Sequence, residues 1–213
     1  MSAHSLLDIK REEADRFLHC LKLMAFIFWG ANGRENWPHL LQQAQDLWGV
    51  PGSCPEFSNG DFSWCLQGQL SRGCLQGVAQ ELEEAYVALF INTRQGIAAP
   101  LYQSCFEEDS PRLNSAPAQR MQARLQEADL CLQKDLGHPA DHLSIQLEYL
   151  YFLLSWALEE GDSSILQHAE DFSRLEMMPW VNKLEQSIIQ VRGHEFFQES
   201  IQELARMLVF LQR

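Results

Sequence analysis

The sequence predicts an all-α fold, a single compact bundle of about seven to nine helices. Three observations predict it. Apolar residues recur at three- and four-residue spacing through most of the 213-residue chain, the mark of helices with one buried face. No segment shows the strict apolar–polar alternation of a half-buried strand. Glycines and prolines fall chiefly where those periodic stretches end.

The first helix is expected over 5–28, with Phe17, Leu21, Met24 and Phe28 on one stripe and Gly30 and Gly33 bracketing its end. A second, over 35–48, carries Trp37, Leu40, Leu41, Ala44, Leu47 and Trp48. Residues 49–60 are rich in Gly, Pro and Ser and read as a loop. A third helix starts near Phe62; Gly68, Gly73 and Gly77 weaken its first half, each by about 1 kcal/mol relative to Ala. Its second half is strong, with Val78, Leu82, Ala85, Tyr86, Leu89 and Phe90 on one broad stripe. The pattern then stops over 92–117, a stretch holding Gly96, Pro100, Pro111, Pro117 and the acidic run Glu107, Glu108, Asp109. Loops this long inside a compact domain often carry function, and this one is also a candidate hinge within the single domain spanning 1–213. A helix over 118–136 follows, ended by Gly137.

Pro139 is expected to open the next helix at its first position. That makes His138 the N-cap and sets Asp141 in the first turn, facing the positive end of the helix dipole. This helix is apolar nearly all round, with Leu143, Leu147, Leu150, Leu154 and Leu158 on one stripe and Tyr149, Phe152, Leu153 and Trp156 on others, which places it at the centre of the bundle. Gly161 stops it, and Asp162 or Ser163 caps its successor. Met177-Met178-Pro179-Trp180 breaks or restarts the helical run, and Gly193 precedes a last helix with Phe197, Ile201, Leu204, Leu208 and Leu211 inward.

Composition narrows the function. Hydrophobic residues make up 46% of the chain, enough for a large core without a metal or disulfide staple. A net charge of −13 disfavours nucleic acid and anionic lipid and favours a basic partner. The run 147–158 is too short for a membrane span and contains Glu148. Met1–Lys10 lacks a basic-then-apolar leader pattern. The six cysteines lack a Cys-x-x-Cys pair and read as reduced thiols in a cytoplasmic protein. His138 and His142 are four apart, but no third ligand can be named, so neither metal nor cofactor is expected. There is no phosphate loop, no dinucleotide fingerprint and no nucleophile elbow, and an enzyme is not expected. Trp64, flanked by Asn59-Gly60-Asp61 and Gln67-Gly68, is the tryptophan expected to be partly exposed.

Two segments stand out. Tyr86, Leu89 and Phe90 share a helix face that runs into the Pro-bearing loop with Leu101, Tyr102, Ser104 and Phe106. Pro139-Ala140-Asp141-His142 opens the most hydrophobic stretch. On spacing alone the first is core and the second a helix cap. In order and spacing, however, the pair resembles the motifs of the TorD/DmsD/NarJ family of redox-enzyme maturation chaperones: an aromatic-x-x-Leu-Phe segment and a Glu-x-Pro-x-Asp-His segment. Met178-Pro179-Trp180 resembles that family's late Pro-Trp break. The likeness covers the chain from about Tyr86 onward. It departs from the family pattern at His138, where the family often has Glu.

The resemblance implies an all-helical cytoplasmic chaperone, monomeric or homodimeric. Its implied partners are the twin-arginine signal peptide and the apo catalytic subunit of a molybdenum-cofactor oxidoreductase, held back from export until the cofactor is in place. It implies a leader-binding groove lined by Tyr86, Leu89, Phe90, Leu101, Tyr102, Pro139, Asp141 and His142, with Glu107, Glu108 and Asp109 as further acids beside it. Two other readings remain open at this point: a protein handling a nucleotide or the molybdopterin cofactor, and a generic helical interaction module.

Overall fold

A computed structural model describes residues 6–7, 9–30, 33–49, 55–72, 74–91, 96–107, 115–132 and 137–212. Among them the fold is all-helical; an isolated bridge between Tyr102 and His142 is the sole β pairing.

Helix α1 (Arg11–Trp29) lies across α7 (Leu143–Glu160), and this pair forms the middle of the bundle. The expected start of α1 at Ser5 lies outside the described residues. Gly30 ends α1 at φ +83°, and a Cβ there would meet the Tyr86 ring at 2.7 Å, so a left-handed turn and a close approach both require glycine. After a 3₁₀ turn at Arg34–Asn36, α2 (Trp37–Trp48) packs on α1. The expected third helix is two: α3 (Asp61–Ser71) and α4 (Leu75–Tyr86), with Cys74 extended between them. The last turn of α4 widens into a π segment, Val87–Ile91.

Two helices cut into the expected long loop. One is the single-turn α5 (Ser104–Glu107), and α6 (Ala116–Glu127) starts with Pro117 in its first turn. Helix α6 is shorter than the sequence suggests. Asp129 adopts φ +56°, and Leu130 N–H bonds back to Leu125 O at 2.8 Å, closing the helix nine residues before Leu136, which lies outside the described residues.

Helix α8 (Ser163–Asp171) is capped by Asp162, whose carboxylate accepts from Ser164 N–H at 2.7 Å. It passes through a π segment, Phe172–Met177, into α9 (Met178–Gln190), which sets Pro179 in a first turn where its missing N–H goes unneeded. Helix α10 (Glu195–Phe210) packs on α9, α3 and α1. Its Glu203, fully buried, accepts from Trp48 Nε1 at 2.6 Å and Arg206 Nε at 2.8 Å, pinning α2 to α10.

Candidate functional site

The two sequence segments meet in space. Leu143 N–H donates to Leu101 O at 2.9 Å and Gln103 N–H to Asp141 O at 3.2 Å, so 101–103 runs against 141–143 and the Tyr102–His142 bridge closes between them. This pairing moves the start of α7. The sequence places it at Pro139 with His138 as cap; in the structure Pro139–His142 is a turn, His142 is the N-cap, and its Nδ1 accepts from Ser144 N–H at 3.2 Å. Asp141 therefore does not sit in the first turn of α7. Its Oδ2 accepts from Ser104 N–H at 2.9 Å instead, at the head of α5.

Behind this corner stands the aromatic end of α4. Tyr86 donates its hydroxyl to Phe28 O at 3.1 Å, Phe90 meets Phe28 and Phe197 edge-on, and Leu89 O accepts from Ala99 N–H at 2.9 Å. Trp29, the last residue of α1, places its ring edge-on to both His138 and His142, with centroids 5.1 Å from each. Tyr102 hydroxyl and His138 Nδ1 are hydrogen-bonded at 2.7 Å. Burial lowers the His138 pKa, and burial followed by the neighbouring His138 takes His142 down to about 3. Both imidazoles are thus neutral near pH 7. Asp141 is wholly buried, and its Oδ1 has no hydrogen-bond partner; nor do the buried hydroxyls of Ser104 and Ser144.

Of the eight sequence-predicted residues, Tyr86, Leu89, Phe90, Leu101, Asp141 and His142 are buried, while Tyr102 and Pro139 are half-buried. None lines the cleft next door, which measures about 1080 Å³ and lies between α1, the C-terminal end of α6 and the outer face of α7. Trp29 and Ser144 belong to both cleft and corner. Phe26 and Trp156, each about 40% exposed, stand on its walls with Phe152. Its charged lining residues are Glu127, Asp129, Glu148 and Glu159; among the described residues no Lys, Arg or His lines it, and the nearest cation on its wall is Lys22, whose Nζ lies 5.3 Å from the centroid of the lining Tyr151 ring. Helix α7 is therefore not enclosed on every side, as its composition suggests; one stripe, through Glu148, Phe152, Trp156 and Glu159, opens onto this cleft. That three- and four-residue spacing was the available signal for the cleft.

A second feature the sequence did not reveal is a buried amide chain. Trp180 Nε1 donates to Gln146 Oε1 at 3.1 Å, Gln146 Nε2 to Gln103 Oε1 and Gln103 Nε2 to Glu107 Oε1, both at 2.5 Å. Glu107 also pairs with Arg120 at 2.8 Å, so it is engaged rather than free to meet a ligand. Glu108 and Asp109 lie outside the described residues.

An all-helical bundle with an acid-edged apolar cleft beside a closed Asp-His corner defines a helical binding domain. Comparison places it further. Residues 66–186 match the model of the nitrate reductase delta subunit family, and the chain belongs to that family, the TorD/DmsD/NarJ group its motifs resemble. Similar curated proteins include the chaperone protein TorD of Photobacterium profundum, 29% identical over 50% of this chain and 51% of the relative. TorD of Vibrio cholerae El Tor is 33% identical over 50% and 49%, and TorD of a Shewanella strain 30% over 61% and 62%. The chain thus spans about half the length of the first curated relatives it matches. A solved structure of an Archaeoglobus fulgidus protein assigned to redox enzyme maturation superposes with a TM-score of 0.58 at 19% identity, covering 90% of this chain and 93% of that one, a likeness of fold.

Proposed function

We propose that this protein is a non-enzymatic cytoplasmic maturation chaperone for a molybdenum-cofactor oxidoreductase, and that it holds the twin-arginine leader of the apo catalytic subunit in the cleft along α7. The observation that carries this reading is the cleft's lining: aromatic walls and, among the described residues, four carboxylates with no lining cation. A leader of two arginines followed by an apolar run is complementary to it in both respects. Such a site needs no catalytic group. Micromolar affinity corresponds to about −8 kcal/mol, and a few apolar side chains buried at about 1.5–3 kcal/mol each can offset the ordering of the peptide. The carboxylates add steering and selectivity.

In this reading the eight motif residues build the end of the groove. Tyr86, Leu89, Phe90 and Leu101 form its rigid backing. Tyr102 and Pro139 are its accessible edge. His142 holds the start of α7, and the buried Asp141 ties the corner to the head of α5 through Ser104 N–H. Names borne by relatives, and the helical fold shared with the Archaeoglobus protein, support this assignment.

Fluorescence anisotropy with a labelled Arg-Arg leader peptide tests it. Saturable binding is expected, weakened when both arginines become glutamine and weakened again by added salt. Absence of binding by any such leader and by the apo-subunit contradicts it.

A further inference from the structure

A second groove lies between α3 and α10 and takes no part in the reading above. Asp61, Trp64, Gln69 and Arg72 fall on one stripe of α3, at i, i+3, i+8 and i+11, opposite Glu195 and Glu199, one turn apart on α10. The pocket between them measures about 330 Å³.

Its chemistry is unbalanced. Three carboxylates face one cation, and that cation is already occupied: Arg72 Nη1 lies 3.0 and 3.1 Å from the two oxygens of Glu81. Trp64, at 65% exposure, is the most exposed large apolar side chain described. Gln69 is 1% exposed and its side chain is hydrogen-bonded to the Cys65 thiol, yet its Oε1 has no hydrogen-bond partner. Glu199 Oε2 is also shielded from solvent and unpartnered. Two buried acceptors with no donor, in a pocket rich in negative charge, bear a desolvation penalty that a cationic donor would relieve. Burial, then the nearby Asp61, pushes the Glu199 carboxyl up against the opposing pull of Arg206, whose Nε is taken by Glu203. Burial holds the Cys65 thiol up at about 12, so this wall stays neutral. Among the described residues no His/Cys/Asp/Glu group is arranged to hold a metal ion. A guanidinium suits the site better: it is flat enough to stack on indole, and its N–H fork can serve a carboxylate and an amide oxygen together.

We propose that the α3–α10 groove is a binding site for a guanidinium cation, stacked on Trp64, paired with Asp61 and Glu199, and hydrogen-bonded to Gln69 Oε1. Glu195 adds negative potential at its rim. Such a cation reaches the protein either as an arginine side chain of a partner protein or as a small free guanidino compound.

Nuclear magnetic resonance on the ¹⁵N-labelled full chain tests this with three probes: agmatine, a capped Gly-Arg-Gly peptide and its neutral isostere, capped Gly-citrulline-Gly. The Trp64 indole N–H and Gln69 side-chain amide signals are expected to move saturably with the two guanidinium probes and not with citrulline. Asp61→Asn with Glu199→Gln, both isosteric, is expected to weaken binding about tenfold without lowering the melting temperature. Tighter binding of the peptide assigns the site to a partner's arginine, and tighter binding of agmatine to a free compound; either supports the proposal. No saturable shift, an equal response to citrulline, or unchanged affinity in the Asp61→Asn/Glu199→Gln variant overturns it.

Discussion

The Asp-His corner and the cleft share Trp29 and Ser144, yet they are built on opposite principles. The corner is closed. Its backbone is cross-bonded from 101–103 to 141–143, its histidines are held neutral, and its aromatic backing is buried. The cleft is open, with Phe26 and Trp156 exposed and its carboxylates without an ion pair among the described residues. The difference teaches that the residues most recognisable in the sequence are those that make the corner rigid, whereas those proposed to meet a ligand are ordinary surface residues of α1, α6 and α7. Substitutions in the corner should therefore change stability strongly, and substitutions in the cleft should change binding with little effect on stability.

The largest effect is expected at Gly30. Alanine there must adopt a left-handed φ and displace the Tyr86 ring, which holds the corner from behind. A loss of about 2–4 kcal/mol is expected in urea unfolding. A loss under about 0.5 kcal/mol would mean that the corner has slack and that its contrast with the cleft is false.

Next comes pH. His142 carries a folded pKa near 3 against 6.5 for the free side chain. The unfolded chain thus binds the extra proton first as pH falls, so this contribution is complete above about pH 6.5 and is lost between there and about pH 3. Its slope approaches about 1.4 kcal/mol per pH unit. Replacing His142 by Asn, which can still cap Ser144 N–H, should flatten that slope in urea titrations at pH 4–6. An unchanged slope would assign the acid sensitivity to other groups.

Gln146→Leu should follow, costing about 1–3 kcal/mol, because it leaves Trp180 Nε1 and Gln103 Oε1 buried without partners. Gln146→Glu keeps an acceptor for Trp180 but loses the donor to Gln103. Comparing the two by thermal melting separates the two bonds.

These cases also show what the sequence could and could not convey. Periodicity located the helices because burying an apolar stripe is a local property, legible at Leu82–Tyr86–Phe90 or at Leu143–Leu147–Leu150–Leu154. It misplaced the start of α7, because Pro139 reads as a helix opener unless one knows that Asp141 and Leu143 already spend their backbone groups on 101–103. It extended α6 too far, because the left-handed Asp129 leaves no mark that a non-glycine residue would reveal. Each miss is a long-range bond or a backbone angle overriding a local preference. Similarly, Gln103 and Gln146 look like surface residues until three elements close around them. The site was legible only in part: the family motif gave the corner, but the cleft required knowing which stripe of an all-round apolar helix stays uncovered.

The smallest change in stability, and the sharpest test of the contrast, is expected from Glu127→Gln, Asp129→Asn and Glu148→Gln together. The three acids edge the cleft, make no ion pair among the described residues, and are replaced by side chains of the same shape. Unfolding free energy should move by no more than about 0.5 kcal/mol, while affinity for an Arg-Arg leader peptide falls about tenfold at low salt and by less at high salt, where the charges are already screened. Against the same peptide with glutamines in place of both arginines, the variant should lose less than about twofold, since the charges removed would have had no partner. Equal losses against both peptides would mean that the acids act by shaping the cleft and not by pairing with arginine. A large fall in stability would mean that the cleft is part of the rigid frame after all.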